Sequence, residues 1–215
     1  VAIRKCTRII LSGLQGTSYP IPYSECEKIL SHYIQTTRGE EYAKEYIAKL
    51  FSPKDNERKY AKQKLNKHFI GPNSYTLQLN NIAEIPEDGI RLVNDPNIRE
   101  NYTVTDKADG DRKLLYIATN GHMYMFDTNM NVIFTGIITR DKELYDTIMD
   151  GEHIKYDKMG KFVNIYAAFD VYIINGKNVR DLDFVPMNDT DLPAKFRLPL
   201  LQDLMQKLKP ISILD

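Results

Sequence analysis

A lysine set among aspartates lies near the middle of the chain, in the segment DKADGDR at residues 106–112. The amine of a lysine is a nucleophile only in its neutral form, which desolvation or a nearby cation favours. Lys107 is therefore a candidate nucleophile, and a metal ion that accompanies a triphosphate is one source of the cation. Arg112 can contact sugar or phosphate oxygens, and Asp109 can orient the loop. Taken alone, the segment is equally typical of a surface ion pair on an Asp-Gly turn.

Two carboxylates lie close together in the run TIMDGEHI at residues 147–154. Side chains alternate between the two faces of an extended strand, so Asp150 and Glu152 are expected on the same face. Neighbouring carboxylates repel each other unless a cation or hydroxyl groups lie between them. A divalent metal, Lys107 or sugar hydroxyls would each fill this role. The alternative is a solvent-facing strand edge with a bulge at Gly151.

An aromatic residue of uncertain role lies in the run FVNIYAAFDVYII at residues 162–174. Alternate positions of this run that include Phe169 are apolar, and this alternation by itself favours Phe169 as a core residue. The functional alternative is a surface on which a nucleobase stacks, because the flat face of an aromatic ring is a good partner for a base.

The elements that must position these residues change in type along the chain. After Asn101, short β-type runs are separated by turn residues, which predicts antiparallel sheets. Asn120-Gly121 predicts a type I′ hairpin turn between two of the strands. The predicted strands are 102–106, 113–118, 122–126, 132–138, 147–154 and 162–174.

The first 70 residues and the last 20 have helical patterns instead. A capping box of Ser24 and Glu27 predicts the start of the first helix, and a second helix is predicted over 40–51. After Pro193, leucines spaced for one face predict a third. Residues 54–67 contain six lysines and arginines against two acidic residues. This run is predicted to be a solvated helix face, with attraction of a phosphate backbone as the alternative.

The composition excludes several classes of protein. A chain of 215 residues with 42% hydrophobic and 27% charged residues is typical of a globular fold. No apolar run approaches the roughly 18 to 20 residues of a membrane span, and the first residues do not have the pattern of a secretory signal. Cys6 and Cys26 predict neither a disulfide scaffold nor a zinc site, which favours a reducing compartment. A formal net charge of zero disfavours general coating of nucleic acid, and no phosphate-binding loop ending in Gly-Lys-Ser/Thr occurs.

The three motifs together, in this order, resemble those of the covalent nucleotidyltransferase superfamily, which contains messenger-RNA guanylyltransferases and ATP- or NAD-dependent polynucleotide ligases. The lysine-x-aspartate-glycine-x-arginine motif is matched at 107–112, the aspartate-glycine-glutamate motif at 150–152, and the phenylalanine-aspartate motif at 169–170. Within this superfamily the chain is most similar to the guanylyltransferase domain of the large capping enzymes of nucleocytoplasmic DNA viruses. That similarity includes the run LQGTSYPI at 14–21 and the variant DKADG of the first motif.

The resemblance implies an α+β fold, with the mainly antiparallel sheets of the ATP-grasp-like ligase and capping core behind an N-terminal helical segment. We therefore predict a helical lead-in over 1–70 and a nucleotidyltransferase domain over 71–215. The family's later motifs, a glutamate-glycine strand and a lysine-rich strand that grips the triphosphate and metal, have no match before Asp215. The domain is accordingly expected to be incomplete at its C-terminal side.

The resemblance also assigns roles to the residues. Lys107 forms a lysyl-GMP from GTP and passes the GMP to a 5′-diphosphate RNA. Arg112 and Glu152 hold the ribose. By resemblance Phe169 stacks on the base, against the prediction from alternation.

Asp109 is expected at the nucleotide site, and Asp150 with Glu152 are candidate ligands for Mg²⁺ or Mn²⁺. Flanking RNA triphosphatase and methyltransferase domains, no membrane contact, and a location in the host cytoplasm at a viral factory or in the virion are implied as well. The alternatives are a polynucleotide ligase that forms lysyl-AMP from ATP, and a nucleotide- or RNA-binding module without turnover.

Overall fold

The computed structural model describes residues 9–11, 21–84, 97–99, 102–188 and 190–212. These residues form two compact parts. The larger part comprises 9–11, 21–71, 108–188 and 190–212, and the smaller part comprises 72–84, 97–99 and 102–107. The run at 14–20 that resembles the start of viral guanylyltransferase domains lies outside the described residues, as do Cys6 and Asn101. Within the described ranges, the helices are all too short or too polar to cross a membrane.

The larger part is built on one antiparallel sheet. Its strands follow the order β1-β6-β5-β2-β3-β4-β8, and β7 pairs with β6. With helices on both faces, this arrangement confirms the predicted α+β class. The strands are β1 (Ile9–Leu11), β2 (Asp111–Ile117), β3 (His122–Phe126), β4 (Val132–Ile138), β5 (Thr147–Tyr156), β6 (Phe162–Ile174), β7 (Lys177–Asn178) and β8 (Ile211–Ser212).

Five of the six predicted strands are confirmed, and the bounds of β3, β4 and β6 agree with the prediction residue for residue. The prediction of a strand over 102–106 is wrong, because only Val104 takes part in an isolated bridge and 105–109 have no regular structure. Alternating residue types form a strand only where a neighbour completes the backbone hydrogen bonds.

The hairpin between β2 and β3 forms where it is predicted, but with a different turn. Gly121 has a φ of +81°, whereas Asn120 does not have the positive φ that a type I′ turn requires. The Gly121 amide donates to the Ala118 carbonyl at 2.8 Å, and the Ala118 amide donates to the His122 carbonyl at 2.9 Å. This is a three-residue loop in which a left-handed glycine follows the turn.

Three helices cover one face of the sheet: α1 (Tyr23–Arg38), α2 (Glu40–Leu50) and α3 (Asp55–Gln63), with a short 3₁₀ turn at Leu65–His68. The predicted capping box at Ser24 does not form. The Pro22 carbonyl accepts from the amides of Glu25 and Cys26, so the N-cap is Pro22, two residues before the predicted Ser24. Ser24 then lies inside the first turn, where its side chain cannot cap the helix.

The two faces of the sheet have separate hydrophobic cores. On the face covered by α1 and α2, the core includes Ile29, Tyr33, Ile34, Tyr46, Ile47, Leu50, Leu114, Tyr116, Tyr124, Phe126 and Tyr172. On the other face, α5 (Arg197–Lys207) contributes to a core that includes Leu115, Ile117, Met149, Ala168, Val171, Leu201, Leu204 and Leu208. The helices of the predicted lead-in thus share a core with the sheet.

The smaller part contains one short helix, α4 (Leu79–Ile82). Here a capping box does form, between Gln78 and Asn81. The Asn81 carbonyl also accepts from the backbone amide of Ile98 at 2.9 Å, and the side-chain amide of Asn97 donates to the Ala83 carbonyl at 3.0 Å. These bonds fix residues 97–99 against α4.

Two buried histidines make the stability of the larger part depend on pH. His68 and His153 are each 2% exposed, and the Nδ1 atom of each lacks a hydrogen-bond partner among the described residues. Burial lowers the pKa of both below the ordinary value, and the hydrogen bond between His153 and Asn164 opposes this only in part. On acidification the unfolded chain therefore takes up protons before the folded chain does.

We predict that the free energy of unfolding is highest above about pH 6.5 and falls below it, by up to about 1.4 kcal/mol per pH unit for each histidine. Urea denaturation across this range measures the decline. His68→Gln and His153→Gln should each flatten it, whereas His32→Gln, at a partly exposed position, should leave it unchanged. An identical decline in all four proteins would show that other groups cause it.

Candidate active site

The register of the sheet brings parts of the three sequence motifs together. Strand β5 lies between β2 and β6, and its pairing with β2 is uninterrupted over this stretch. Arg112 is opposite Glu152, and Leu114 is opposite Asp150. Since Leu114 belongs to the core under α1 and α2, Arg112, Asp150 and Glu152 all point to that face. The two carboxylates therefore share a face, as the alternation predicts.

Asp150 is fully buried and is held by two partners. Arg112 donates from Nε to Oδ1 at 3.1 Å and from Nη2 to Oδ2 at 2.5 Å, and the Tyr172 hydroxyl donates to Oδ2 at 2.6 Å. Burial, together with the charge of Asp150, raises the pKa of Tyr172, so this hydroxyl remains a donor. A buried carboxylate is tolerated only with such compensation. In return, Asp150 fixes the direction of the Arg112 guanidinium.

The segment that follows the 3₁₀ turn closes over this ion pair. A Cβ placed on Gly71 would lie 2.6 Å from Nη2 of Arg112 and 3.0 Å from Oδ2 of Asp150. The Phe69 ring centroid is 5.3 Å from the Arg112 guanidinium, and the Phe169 centroid is 6.0 Å from it. Arg112 therefore has cation–π contacts with two aromatic rings in addition to its carboxylate. A side chain at position 71 would displace Arg112 or Phe69.

Phe169 occupies a β-bulge, and this changes its environment. Asp150 pairs with Asp170 and Gly151 pairs with Ala168, which leaves Phe169 as the extra residue. Ala168 and Val171 consequently belong to the same core, although regular alternation would place them on opposite faces. Phe169 is partly buried and belongs to neither core. The core role that alternation favours is therefore wrong, and the stacking role stays a prediction.

The glycines of the first two motifs allow close approach of the backbone. A Cβ on Gly110 would lie 2.6 Å from the His153 carbonyl oxygen and 3.0 Å from Cγ of Glu152. A Cβ on Gly151 would lie 2.5 Å from Cζ of Tyr166, whose hydroxyl donates to the Lys113 carbonyl at 2.9 Å. Gly110 therefore allows the first motif to lie against β5, and Gly151 leaves room for the Tyr166 ring of β6.

Lys107 and Asp109 precede the start of β2, in a stretch without regular secondary structure. Both are exposed, whereas Glu152 is partly buried. Asp109 belongs to the larger part and Lys107 ends the smaller part, where the peptide bond joins it to Ala108. The proximity of Lys107 to the carboxylates and its role as nucleophile stay predictions.

Within the described residues, protein side chains alone do not form a metal site of three or more ligands. Among the described residues, no group of three histidine, cysteine, aspartate or glutamate side chains is placed to hold an ion. Both oxygens of Asp150 already accept hydrogen bonds from Arg112 or Tyr172. This geometry gives Asp150 the role of positioning Arg112, and it adds no support to ligation of Mg²⁺ or Mn²⁺ by Asp150 and Glu152.

Several residues around the site are missed by the sequence patterns. Tyr172 fits its strand as an ordinary apolar position, and Phe69 with Gly71 follows the helices without a periodic signal. Arg197, at the start of α5, donates to Asp170 from Nε at 2.8 Å and from Nη2 at 3.2 Å, and it also donates to the Leu182 carbonyl. Burial raises the pKa of Asp170, although Arg197 opposes the shift. No local pattern indicates a partner 27 residues away.

Comparison with known proteins agrees with this arrangement. Residues 92–188, slightly under half of the chain, match the family model of the mRNA capping enzyme, catalytic domain. The matched range contains all three motifs. This segment is similar to capping enzymes. The resemblance predicted from the motifs is therefore confirmed.

A viral protein also aligns with the chain. The "Probable mRNA-capping enzyme" of Acanthamoeba polyphaga mimivirus is 32% identical over 83 residues, which are 39% of this chain and 7% of the mimivirus protein. The chain therefore spans only a small fraction of the length of this relative.

The buried ion pair yields a prediction about stability. Asp150→Asn should lower the free energy of unfolding by about 3 kcal/mol, because it leaves Arg112 without its carboxylate, and the 26% exposure of Arg112 keeps the loss at the low end of the range for buried pairs. Tyr172→Phe should cost about 2 kcal/mol through one lost hydrogen bond to a charged group. Denaturant titration without metal or nucleotide measures both losses.

Asp203→Asn is the matched control. It breaks the exposed pair of Asp203 and Lys207 and should cost less than about 1 kcal/mol. If Asp150→Asn is no more destabilising than this control in metal-free buffer, the positioning role is wrong and a role as metal ligand becomes the better explanation.

Proposed function

We propose that this chain contains the guanylyltransferase site of an mRNA capping enzyme. The amine of Lys107 attacks the α-phosphate of GTP, the P–O bond to the β-phosphate breaks, and pyrophosphate leaves. The GMP stays on the lysine through a P–N bond. An oxygen of the terminal phosphate of a 5′-diphosphate RNA then attacks the same phosphorus and displaces the lysine.

The observation that carries this proposal is the convergence of three motifs on neighbouring strands. Arg112 of the first motif, Glu152 of the second and Phe169 of the third lie on β2, β5 and β6. A rigid sheet is a suitable scaffold for such groups because it holds them in fixed relative positions. The family match, which spans all three motifs, supports the same reaction.

Each of these side chains has a task in the proposed reaction. Arg112, held by Asp150 and by the Phe69 ring, contacts ribose or phosphate oxygens with a preset direction. Glu152, opposite Arg112 in the register, accepts from ribose hydroxyls. Phe169 stacks on guanine from its position at the bulge. GTP enters together with Mg²⁺ or Mn²⁺, and these three side chains orient the nucleotide through direct contacts with it.

The wider setting is part of the same proposal. The mimivirus relative is named as a capping enzyme and is far longer than the aligned segment. By analogy, we place this site in a viral multifunctional protein with RNA triphosphatase and methyltransferase domains beside it, which acts in the host cytoplasm or the virion.

The nucleophile is tested by labelling with GTP. Incubation of the chain with α-³²P-labelled GTP and Mg²⁺ should give a labelled protein band that survives denaturing electrophoresis, and Lys107→Ala should abolish it because the attacking amine is absent. Lys161→Ala, at an exposed position between β5 and β6, is the matched control and should label normally. Both variants should melt like the parent, since exposed lysines contribute little packing.

The outcome also separates the alternatives. A labelled band that persists in Lys107→Ala would refute the nucleophile assignment. Labelling by α-labelled ATP instead of GTP would favour the polynucleotide ligase. Nucleotide binding without any adduct in the parent would favour a binding module.

Phe169 is tested by measuring affinity and stability on one variant. Phe169→Ala should weaken GTP binding by about 1 to 3 kcal/mol, the value of stacking a base on an aromatic ring. It should cost well below the roughly 3 to 5 kcal/mol of stability lost when a core phenylalanine is truncated. Phe162→Ala, on the same strand and 50% exposed, is the control for both measurements. A large stability loss with unchanged GTP affinity would show that Phe169 only packs.

A further inference from the structure

A second concave site lies on the helical side of the larger part. A cavity of about 190 Å³ is bounded by α2, α3 and the 3₁₀ turn. Its walls include two tyrosines, a histidine and three lysines: Tyr42, Tyr60, His68, Lys49, Lys64 and Lys67. None of these residues has a role in the proposed transfer of GMP.

Hydrogen bonds hold the residues beneath this cavity, and one lining residue, His68, has a buried nitrogen without a partner among the described residues. The Tyr46 hydroxyl donates to the Ala61 carbonyl at 2.6 Å, and the Tyr33 hydroxyl donates to the His68 carbonyl at 2.9 Å. The His68 ring lies 4.3 Å from the Tyr46 ring centroid and is 2% exposed. Its Nδ1 atom has no hydrogen-bond partner within the described ranges.

The rim of the cavity is aromatic and positively charged. Tyr42 is 47% exposed and Tyr60 is 55% exposed, so part of each ring is accessible from solvent. The Lys64 ammonium lies 3.9 Å from the Tyr60 ring centroid and donates to the Tyr60 hydroxyl. Among the described lining residues, three lysines face a single acidic residue, Glu45, which pairs with Lys49. The surplus of positive charge continues along α3, which lies within the basic run at 54–67.

We propose that this cavity binds single-stranded RNA, with a base stacked on Tyr60 and phosphates at Lys64 and Lys67. Aromatic faces beside lysines are the means by which proteins hold single strands without reading their sequence. An acidic peptide would use the lysines but would leave the two exposed rings without a function. The choice of RNA rests on the proposed function, in which RNA is the acceptor.

The position of the cavity in the chain connects it to the candidate active site. His68 lines the cavity, and the next residue, Phe69, packs on the Arg112 guanidinium. The Cα atoms of consecutive residues are about 3.8 Å apart, so His68 in the cavity wall and Phe69 on the ion pair belong to one short segment. In this proposal, an acceptor strand whose 5′ end is at the active site places a following nucleotide in the cavity. The cavity acts as a guide for the strand, and it takes no part in the chemistry.

The test is RNA binding by matched variants of the chain. Fluorescence anisotropy is measured with a labelled single-stranded RNA of about 10 nucleotides over a series of salt concentrations. Lys64→Gln with Lys67→Gln should reduce the slope of log affinity against log salt by about 1.4, since each phosphate contact to a single strand contributes about 0.7. Tyr60→Ala should weaken binding about 5- to 150-fold. Labelling by GTP alone should be unchanged in both.

The control has the same loss of charge at positions outside the cavity. Lys44→Gln with Lys177→Gln removes two exposed lysines, and it should leave the salt slope close to that of the parent. An equal decrease of the salt slope in the control would overturn the proposal. The proposal would also be overturned if polyphosphate bound with the same affinity as RNA and Tyr60→Ala did not weaken the binding. Circular dichroism confirms that each variant is folded.

The two proposals fail in distinguishable ways. The labelling assay contains no RNA, and the anisotropy assay contains no GTP. If the chain binds RNA through Tyr60 and the two lysines but forms no labelled adduct with GTP, the RNA cavity is supported and the proposed GMP transfer is refuted. If the chain is labelled by GTP but the cavity variants and the control variant bind RNA equally well, only the proposal of an RNA-binding cavity is refuted.

Discussion

The arrangement of the site depends on the compensation of one buried charge. The carboxylate of Asp150 has no contact with solvent, and an isolated carboxylate in that environment would cost several kcal/mol. Arg112 and Tyr172 supply the compensation, and they come from the strands on either side of β5. The ion pair of Asp150 and Arg112 therefore depends on the register of β2, β5 and β6. It also depends on Gly71, since a side chain there would contact both residues. Once it forms, Arg112 has one direction, and the proposed contact with the nucleotide follows from it.

The bulge on β6 is the second constraint, and it takes Phe169 out of both hydrophobic cores. A regular strand would direct Phe169 into one of the two cores, with consequences for stability only. The extra residue moves Phe169 beside Arg112 and leaves it partly exposed. Asp170, the next residue, is then held by Arg197 from α5, so the helix on the far face stabilises the strand at its irregular point. Bulges next to functional sites commonly redirect a side chain in this manner.

The helices at the start of the chain contribute more than a cover for the sheet. Tyr33 packs against the Phe126 ring at a centroid distance of 4.5 Å, and its hydroxyl fixes the carbonyl of His68. Phe69 follows His68 directly and packs on the Arg112 guanidinium of the ion pair. A single stretch of chain thus joins the core, the candidate active site and the proposed RNA cavity. This continuity is the physical basis for assigning the RNA strand and the nucleotide to neighbouring places.

The sequence by itself determined the elements that depend on local patterns. Alternation located five strands, and apolar spacing located α1, α2 and α5. The three motifs were sufficient to indicate a capping-type nucleotidyltransferase, since each has a fixed local spacing. Tertiary structure decided whatever depends on a distant partner: that 102–106 does not form a strand, that Phe169 leaves the core, and that Asp150 pairs with a residue 38 positions away. The periodicity of side chains is a property of one segment and can be recognised in the sequence of that segment. A bulge or an ion pair forms only when two segments pack together, so the sequence of either segment alone does not predict it.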